Sequence, residues 1–314
     1  MPKIADADPP DLPVVLTRTQ ALASGFTPDE IRQRLRSGRW FPLAVGVYRR
    51  ECAPAFLDPF VAERQAHREL AYAAAMRHPG AVIAIESAAI VHGMPLVSPT
   101  PRRPTLIGSI GTRRDDRMAH LHRRALREDE VMEAEPGLWI TTPLRTWIDI
   151  TRRGALPDSL STGDGAVRAG LLTGEQAQQQ ATVVRGRHCR LVRSAAQLLD
   201  GTRETALESY SFARFVQWGI DLPEMQVEIR DRFGAFLGRV DFLWRAQGLI
   251  GEADGAWKYG TQHVLYDEKR REDALRALGY RVIRWGWRDL GARAGLYTDL
   301  LTALNPSRVR PQAS

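Results

Sequence analysis

Between Gly238 and Tyr259 the chain reads GRVDFLWRAQGLIGEADGAWKY, with three acidic residues set into apolar, strand-like text. Asp241 stands between Val240 and Phe242, while Glu252 and Asp254 flank Ala253 after the apolar pair Leu249 and Ile250. Successive side chains on a strand point to opposite faces, so Glu252 and Asp254 are expected on one face. Two carboxylates so placed repel each other, and burying them is unfavourable without a cation or a proton to offset the charge. A divalent metal held jointly with Asp241 answers that requirement. A solvated strand edge closed by an Asp254-Gly255 turn answers it too, and on these residues alone both readings stand.

The rest of the composition narrows the setting. A chain of 314 residues has room for two or three domains. With 44% hydrophobic and 26% charged residues it is expected to be an ordinary soluble globular protein. A net charge of +7 and an isoelectric point of about 9.8 favour a polyanionic partner such as nucleic acid. Cys52 and Cys189 lie far apart with no CxxC or Cys/His spacing. Neither a zinc site nor a disulfide framework follows, and a cytoplasmic, reducing location is expected. The opening MPKIADADPPDLP is acidic and proline-rich, unlike a signal peptide. The longest apolar stretch, Ala81 to Met94, is interrupted by Glu86, Ser87 and His92 and is too short to span a bilayer, so no membrane role is expected.

Five segments are expected in chain order. Residues 1–13 carry four prolines and three aspartates and read as a disordered lead-in. In segment 14–55, Thr17 caps a helix that Gly25 breaks, and Thr27-Pro28-Asp29-Glu30 opens a second with a capping box and proline at its first position. The text RWFPLAVGVYRR then reads as a two-stranded ribbon. Helix, turn, helix and basic ribbon is the layout of a winged helix-turn-helix. Phosphates would be met by Arg39, Arg49 and Arg50, and base edges by Arg32, Gln33 and Arg36. The plainer reading is a solvated, arginine-rich face. Segment 56–200 is expected to be an α+β middle region, with eight arginines between Arg102 and Arg127, among them Arg123 and Arg124, forming a second basic patch. His120 and His122 are read as surface residues beside it. Leu156 to Gly165, rich in Ser, Gly and Asp, reads as an ordered loop or a joint. Segment 201–305 has the order α-β-β-β-α-β-α, with Asp241 on its second strand and Glu252 on its third; 306–314 is a tail. The fold class is mixed α/β.

That order, with Asp on one strand and E-x-D on the next, resembles the PD-(D/E)XK nuclease fold. The text GTRETALESYSFARFVQWGIDLPEMQ, GRVDFLW, IGEADGAWKY and YDEKRREDALRALGYRVIRW is similar to bacterial endonuclease-like domains related to very-short-patch repair endonucleases, with matching dense from residue 200 to residue 295. TRTQALASG and SGRWFPLAVGVY resemble the winged helix of AbiEi-family antitoxins, as ESAAIVHGM and TTPLRTWID resemble the region that follows it. The resemblance implies Asp241 as central metal ligand, Glu252 as second acidic ligand and Glu208 as accessory ligand or water-holder, with Mg²⁺ or Mn²⁺ as cofactor. Asp254 occupies the place where the nuclease motif has lysine. It would help hold the metal, leaving Lys258 in the run DGAWK to orient water or stabilise the transition-state phosphate. Gln226 matches a family glutamine, and Arg270 and Arg271 fall on a helix facing either the nucleic-acid path or solvent.

Two functions follow as expectations. One is a metal-dependent endonuclease acting on double-stranded DNA. The other is an antitoxin-like transcriptional autorepressor whose nuclease-like domain is catalytically silent and whose cognate toxin is encoded nearby. A structural RNA-binding role lacks an aromatic platform. The oligomeric state and the DNA site are not legible in the sequence.

Overall fold

The computed structural model describes residues 8–50, 58–108, 117–254, 262–291 and 295–305, with 262–269 described by their backbone. The chain is mixed α/β, with two compact units, 1–150 and 151–314. Lys258, residues 1–7 of the expected lead-in and the expected tail lie outside the described residues.

The first unit opens with β1 (Val15–Thr17), α1 (Arg18–Ala23), α2 (Pro28–Arg36), β2 (Trp40–Ala44) and β3 (Val47–Arg50). Both helices begin with the capping box their sequences call for: Thr17 exchanges hydrogen bonds with Gln20, and Thr27 with Glu30. The three strands form an antiparallel sheet in the order β1-β3-β2. Leu16, Ala21, Ile31, Trp40 and Tyr48 close its core with Leu12. Residues 8–13 depart from the disorder expected of them. Leu12 is buried, and the Asp8 carboxylate accepts from Arg34 Nε (2.8 Å) and Trp40 Nε1 (2.6 Å). Residues 8–13 are held because two buried donors need the Asp8 carboxylate.

After these come α3 (Pro59–Arg77), β4 (Val82–Ile83), α4 (Ile85–His92), β5 (Thr105–Gly108), β6 (His120–Arg123), β7 (Val131–Glu135), β8 (Leu138–Thr141) and α5 (Pro143–Thr151). Their sheet is mixed, in the order β6-β5-β4-β8-β7. Alanines of α3 pack with Ile83, Leu106 and Ile140, and small residues on the helix let it lie close to the strands.

The second unit begins with α6 (Leu156–Arg168), α7 (Gly174–Val183) and α8 (Cys189–Leu198). The stretch expected as a loop, Leu156 to Gly165, is helical and mostly buried. Its turn-forming residues serve tertiary bonds instead: Thr151 Oγ1 lies 2.6 Å from Ser159 Oγ, Ser161 donates to the Ala206 carbonyl, and Asp164 meets Arg203. Then follow α9 (Ala206–Trp218), β9 (Glu224–Arg230), β10 (Phe236–Trp244), β11 (Leu249–Ala253), α10 (Gln262–Ala277), β12 (Arg281–Trp285) and α11 (Gly295–Leu304). The sheet order is β12-β11-β10-β9, with β11 and β12 parallel and the other pairs antiparallel. Phe215 of α9 meets Phe242, Trp244 and Trp285 ring to ring at 5.3–5.7 Å. Leu275 of α10 packs with Leu243 and Ile250, which alternation places on the opposite face. The sheet is thus covered on both sides.

Candidate active site

The acidic residues gather where two strands part. The β10–β11 ladder runs from Trp244↔Leu249 to Phe242↔Gly251 and stops there, one residue short of Asp241 and Glu252. The Ala253 N–H beyond the fork is taken by a side chain: Asp241 Oδ2 accepts it at 2.9 Å. Asp241 therefore anchors the fork.

Glu208 approaches from the first turn of α9. The Thr205 hydroxyl caps that helix by accepting from the Glu208 N–H, and Glu208 Oε2 accepts from the Glu204 N–H at 2.9 Å. Gln226 of β9 joins the two acids, its Nε2 donating to Glu208 Oε2 at 2.7 Å and making a longer 3.4 Å contact with Asp241 Oδ1. Gln226 has φ +52°, a left-handed backbone that a non-glycine residue rarely adopts and that commonly marks functional sites. Burial pushes the Asp241 carboxyl from 3.8 up to about 6. Glu208 and Glu252 add to the rise, against the Ala253 N–H and Arg271.

Glu252 is held differently. Arg271 Nη2 of α10 donates to its Oε1 at 2.8 Å and Arg284 Nε of β12 to its Oε2 at 2.9 Å. Arg271 Nη2 also reaches the Arg239 carbonyl at 2.9 Å. Gly238 makes this path open, since a Cβ there would stand 2.6 Å from Arg271 Nε. Arg284 continues to Glu272 at 3.1 Å, and Arg239 pairs with Glu204 at 2.7 Å. Of the two helix arginines, Arg270 is exposed while Arg271 turns inward, toward Glu252. Asp254 lies one residue past β11, exposed, with its N–H on the Trp285 carbonyl. Asp241, Glu208 and Gln226 are thus brought together, Glu252 is bound to two guanidinium groups, and Asp254 is exposed at the end of β11. Among the described residues no three His, Cys, Asp or Glu side chains form a ready metal-binding group. The sequence reading missed Arg284, whose only signal was a basic residue alternating with apolar ones in RVIRW.

Of the expected nucleic-acid contacts, Arg32, Gln33 and Arg36 are exposed on α2 and Arg39 is exposed just after it; Arg32 pairs with Asp29. Arg49 pairs with Glu69 and lies over the Phe41 ring, and Arg50 donates to the carbonyls of Pro9 and Pro13. Arg123 is exposed, and Arg124 donates to the buried Asp149 at 3.1 Å.

Comparison with known proteins adds little that is functional. No family model matches the chain. Two uncharacterized Mycobacterium tuberculosis proteins, MT2308 of strain CDC 1551 and Rv2248 of strain H37Rv, are each 31% identical over 151 residues. That is 47% of this chain and 54% of each relative, so the chain spans about half the length of the curated relatives it matches. Among solved structures, the crystal structure of the RV2827C protein from Mycobacterium tuberculosis is 14% identical, covering 70% of this chain and 85% of that one. Its TM-score of 0.36 is too low to carry an argument. No described helix is long and apolar enough to cross a membrane.

Proposed function

We propose that the chain binds double-stranded DNA and hydrolyses its phosphodiester bonds with a divalent metal at the β10–β11 fork. The observation that carries this reading is the meeting of Asp241 and Glu208 through Gln226, at 2.7 and 3.4 Å, where the β10–β11 ladder ends, a setting in which burial and the neighbouring carboxylates push the Asp241 carboxyl up to about 6. Such a carboxyl marks negative charge that the protein itself leaves uncompensated. The donor set fits Mg²⁺ or Mn²⁺, which need oxygen ligands, accept as few as one or two carboxylates and keep several waters. Asp241 and Glu208 would hold the ion, with Gln226 fixing the distance between them. When bound, the ion polarises a phosphodiester and lowers the pKa of an attacking water.

The chain's own residues supply the remainder. Glu252, with both oxygens engaged, positions Arg271 and Arg284 instead of ligating, and these guanidinium groups offset charge on a phosphate at the fork. Lys258 is assigned the same task. The exposed α2 face, with Arg32, Gln33 and Arg36, reads the duplex, in keeping with a winged helix-turn-helix of the AbiEi kind joined to a PD-(D/E)XK-like domain. A second reading, an AbiEi-type autorepressor with a silent nuclease-like domain and a cognate toxin, is favoured by one observation: Glu252 is occupied by two arginines and Asp254 is exposed.

Incubating supercoiled plasmid with the protein and Mg²⁺ or Mn²⁺ decides between them. Nicking by wild type that is lost in Asp241→Asn is expected. Identical, uncut DNA from both, with a promoter gel shift abolished in Arg32→Ala/Arg36→Ala, would establish the repressor.

A further inference from the structure

A third basic cluster lies in the second unit, in text the sequence reading did not single out, and joins three stretches of chain. Arg152 donates from Nη2 to the Arg185 carbonyl at 2.8 Å and from Nε to the Arg187 carbonyl at 3.4 Å. His188 Nδ1 donates to the Arg152 carbonyl at 2.8 Å, and His188 Nε2 accepts from Arg187 Nε at 3.4 Å. Arg185 and Arg193 close the end of α7, donating to the carbonyls of Thr182 and Val184 and of Ala181 and Val184. Among the described residues none of Arg152, Arg185, Arg187, Arg190 or Arg193 bonds a carboxylate. Among the described residues these like charges have carbonyls and one imidazole as partners.

The backbone is shaped to permit it. His188 has φ +57°, and Gly154 opposite it has φ +99° and no room for a side chain, since a Cβ would meet the imidazole at 2.5 Å. A left-handed non-glycine residue carries strain that surrounding structure must hold in place. The same residue is the N-cap of the ten-residue α8, which no side chain caps. The positive end of that helix therefore opens among the arginines, a setting that favours anions. Arg152, Arg185 and Arg193 are committed to the scaffold. Arg187 and Arg190 are exposed, one just before α8 and the other in its first turn.

We propose that this cluster, through Arg187 and Arg190, docks the phosphate backbone of nucleic acid. The identity of the polyanion rests on the reading of the chain as DNA-acting; the existence of an anion surface rests on the cluster alone. Binding of the full chain to a labelled duplex, followed by anisotropy through a salt series, tests it. Arg187→Ala/Arg190→Ala is expected to weaken binding about tenfold and to lower the slope of log affinity against log salt by about 1.8, or about 0.9 for each lost phosphate contact. The melting temperature is expected to hold, and neutralising Arg276 on α10 serves as a control. Unchanged affinity and slope, or an equal loss on Arg276→Ala, would overturn the proposal. So would a loss confined to binding of phosphatidylserine vesicles. If the double variant binds and cleaves like wild type while Asp241→Asn does not cleave, this inference fails and the nuclease reading stands. If duplex binding depends on Arg187 and Arg190 but wild type cuts nothing, the inference stands and the nuclease reading fails.

Discussion

Because burial and two neighbouring carboxylates raise the Asp241 carboxyl to about 6, its effect on stability runs opposite to that of a salt-bridged aspartate. In the unfolded chain it ionises near 3.8, so between about pH 4 and pH 6 the folded state binds more protons than the unfolded one. Stability falls as pH rises through that window and levels off above it; below it both states are protonated and the term vanishes. At 1.36 kcal/mol per pKa unit the loss is about 3 kcal/mol at most. Asp241→Asn keeps an acceptor for the Ala253 N–H without the charge, and urea midpoints should show it more stable than wild type by about 1–3 kcal/mol at pH 7. The gap should close near pH 4; a gap independent of pH would refute the assignment. Millimolar Mg²⁺ should raise the melting temperature of wild type and leave Asp241→Asn unmoved, a readout independent of cleavage. Asp241 itself was legible as an acid between apolar neighbours. The left-handed turn at Gln226 was not, because glutamine carries no signal for it and tertiary bonds to two acids hold it there.

Among the elements, helices with strong local signals matched their sequence reading. The capping boxes of α1 and α2 satisfy orphan backbone N–H groups with neighbouring residues, and such local chemistry reads directly. The fork between β10 and β11 depends on close packing across the sheet. A Cβ on Gly251 would meet the Trp285 ring at 2.5 Å and Trp244 at 3.1 Å. Gly251→Ala should therefore destabilise the chain by about 1–3 kcal/mol in denaturant melts, as overpacked cores do, and a change under 0.5 kcal/mol would argue against that packing. Helix α6 shows where the reading failed. Ser, Gly, Thr and Asp ordinarily signal turns because they compete locally for backbone hydrogen bonds. In α6 most of them are buried, and Ser161 and Asp164 find partners 45 and 39 residues away. No local pattern announces such partners.

At the scale of the whole chain, the junction expected near Gly201 falls inside the second unit. Arg203 lies across it, its guanidinium bonded to Asp164 at 2.6 and 3.1 Å and stacked 4.3 Å from the Phe212 ring, both charged groups being buried. Removing one member of a buried pair leaves the other charge uncompensated, so Arg203→Leu should cost about 3–5 kcal/mol. Arg203→Leu/Asp164→Leu should recover much of that loss in the same melts; no recovery would mean that Arg203 acts through packing alone. A fragment of residues 151–314 should likewise unfold cooperatively, whereas one beginning at residue 201 loses Asp164 and should be markedly less stable. From sequence alone came the element order of the last domain, the helix caps, the basic balance and the candidate acids, since periodicity, capping and charge are properties of neighbouring residues. Tertiary structure alone decided that Asp241 meets Glu208 through Gln226, that Arg271 and Arg284 occupy Glu252, and that Asp164 rivets α6 to the chain before α9. Each of these depends on a long-range contact that burial makes favourable only after the chain has folded.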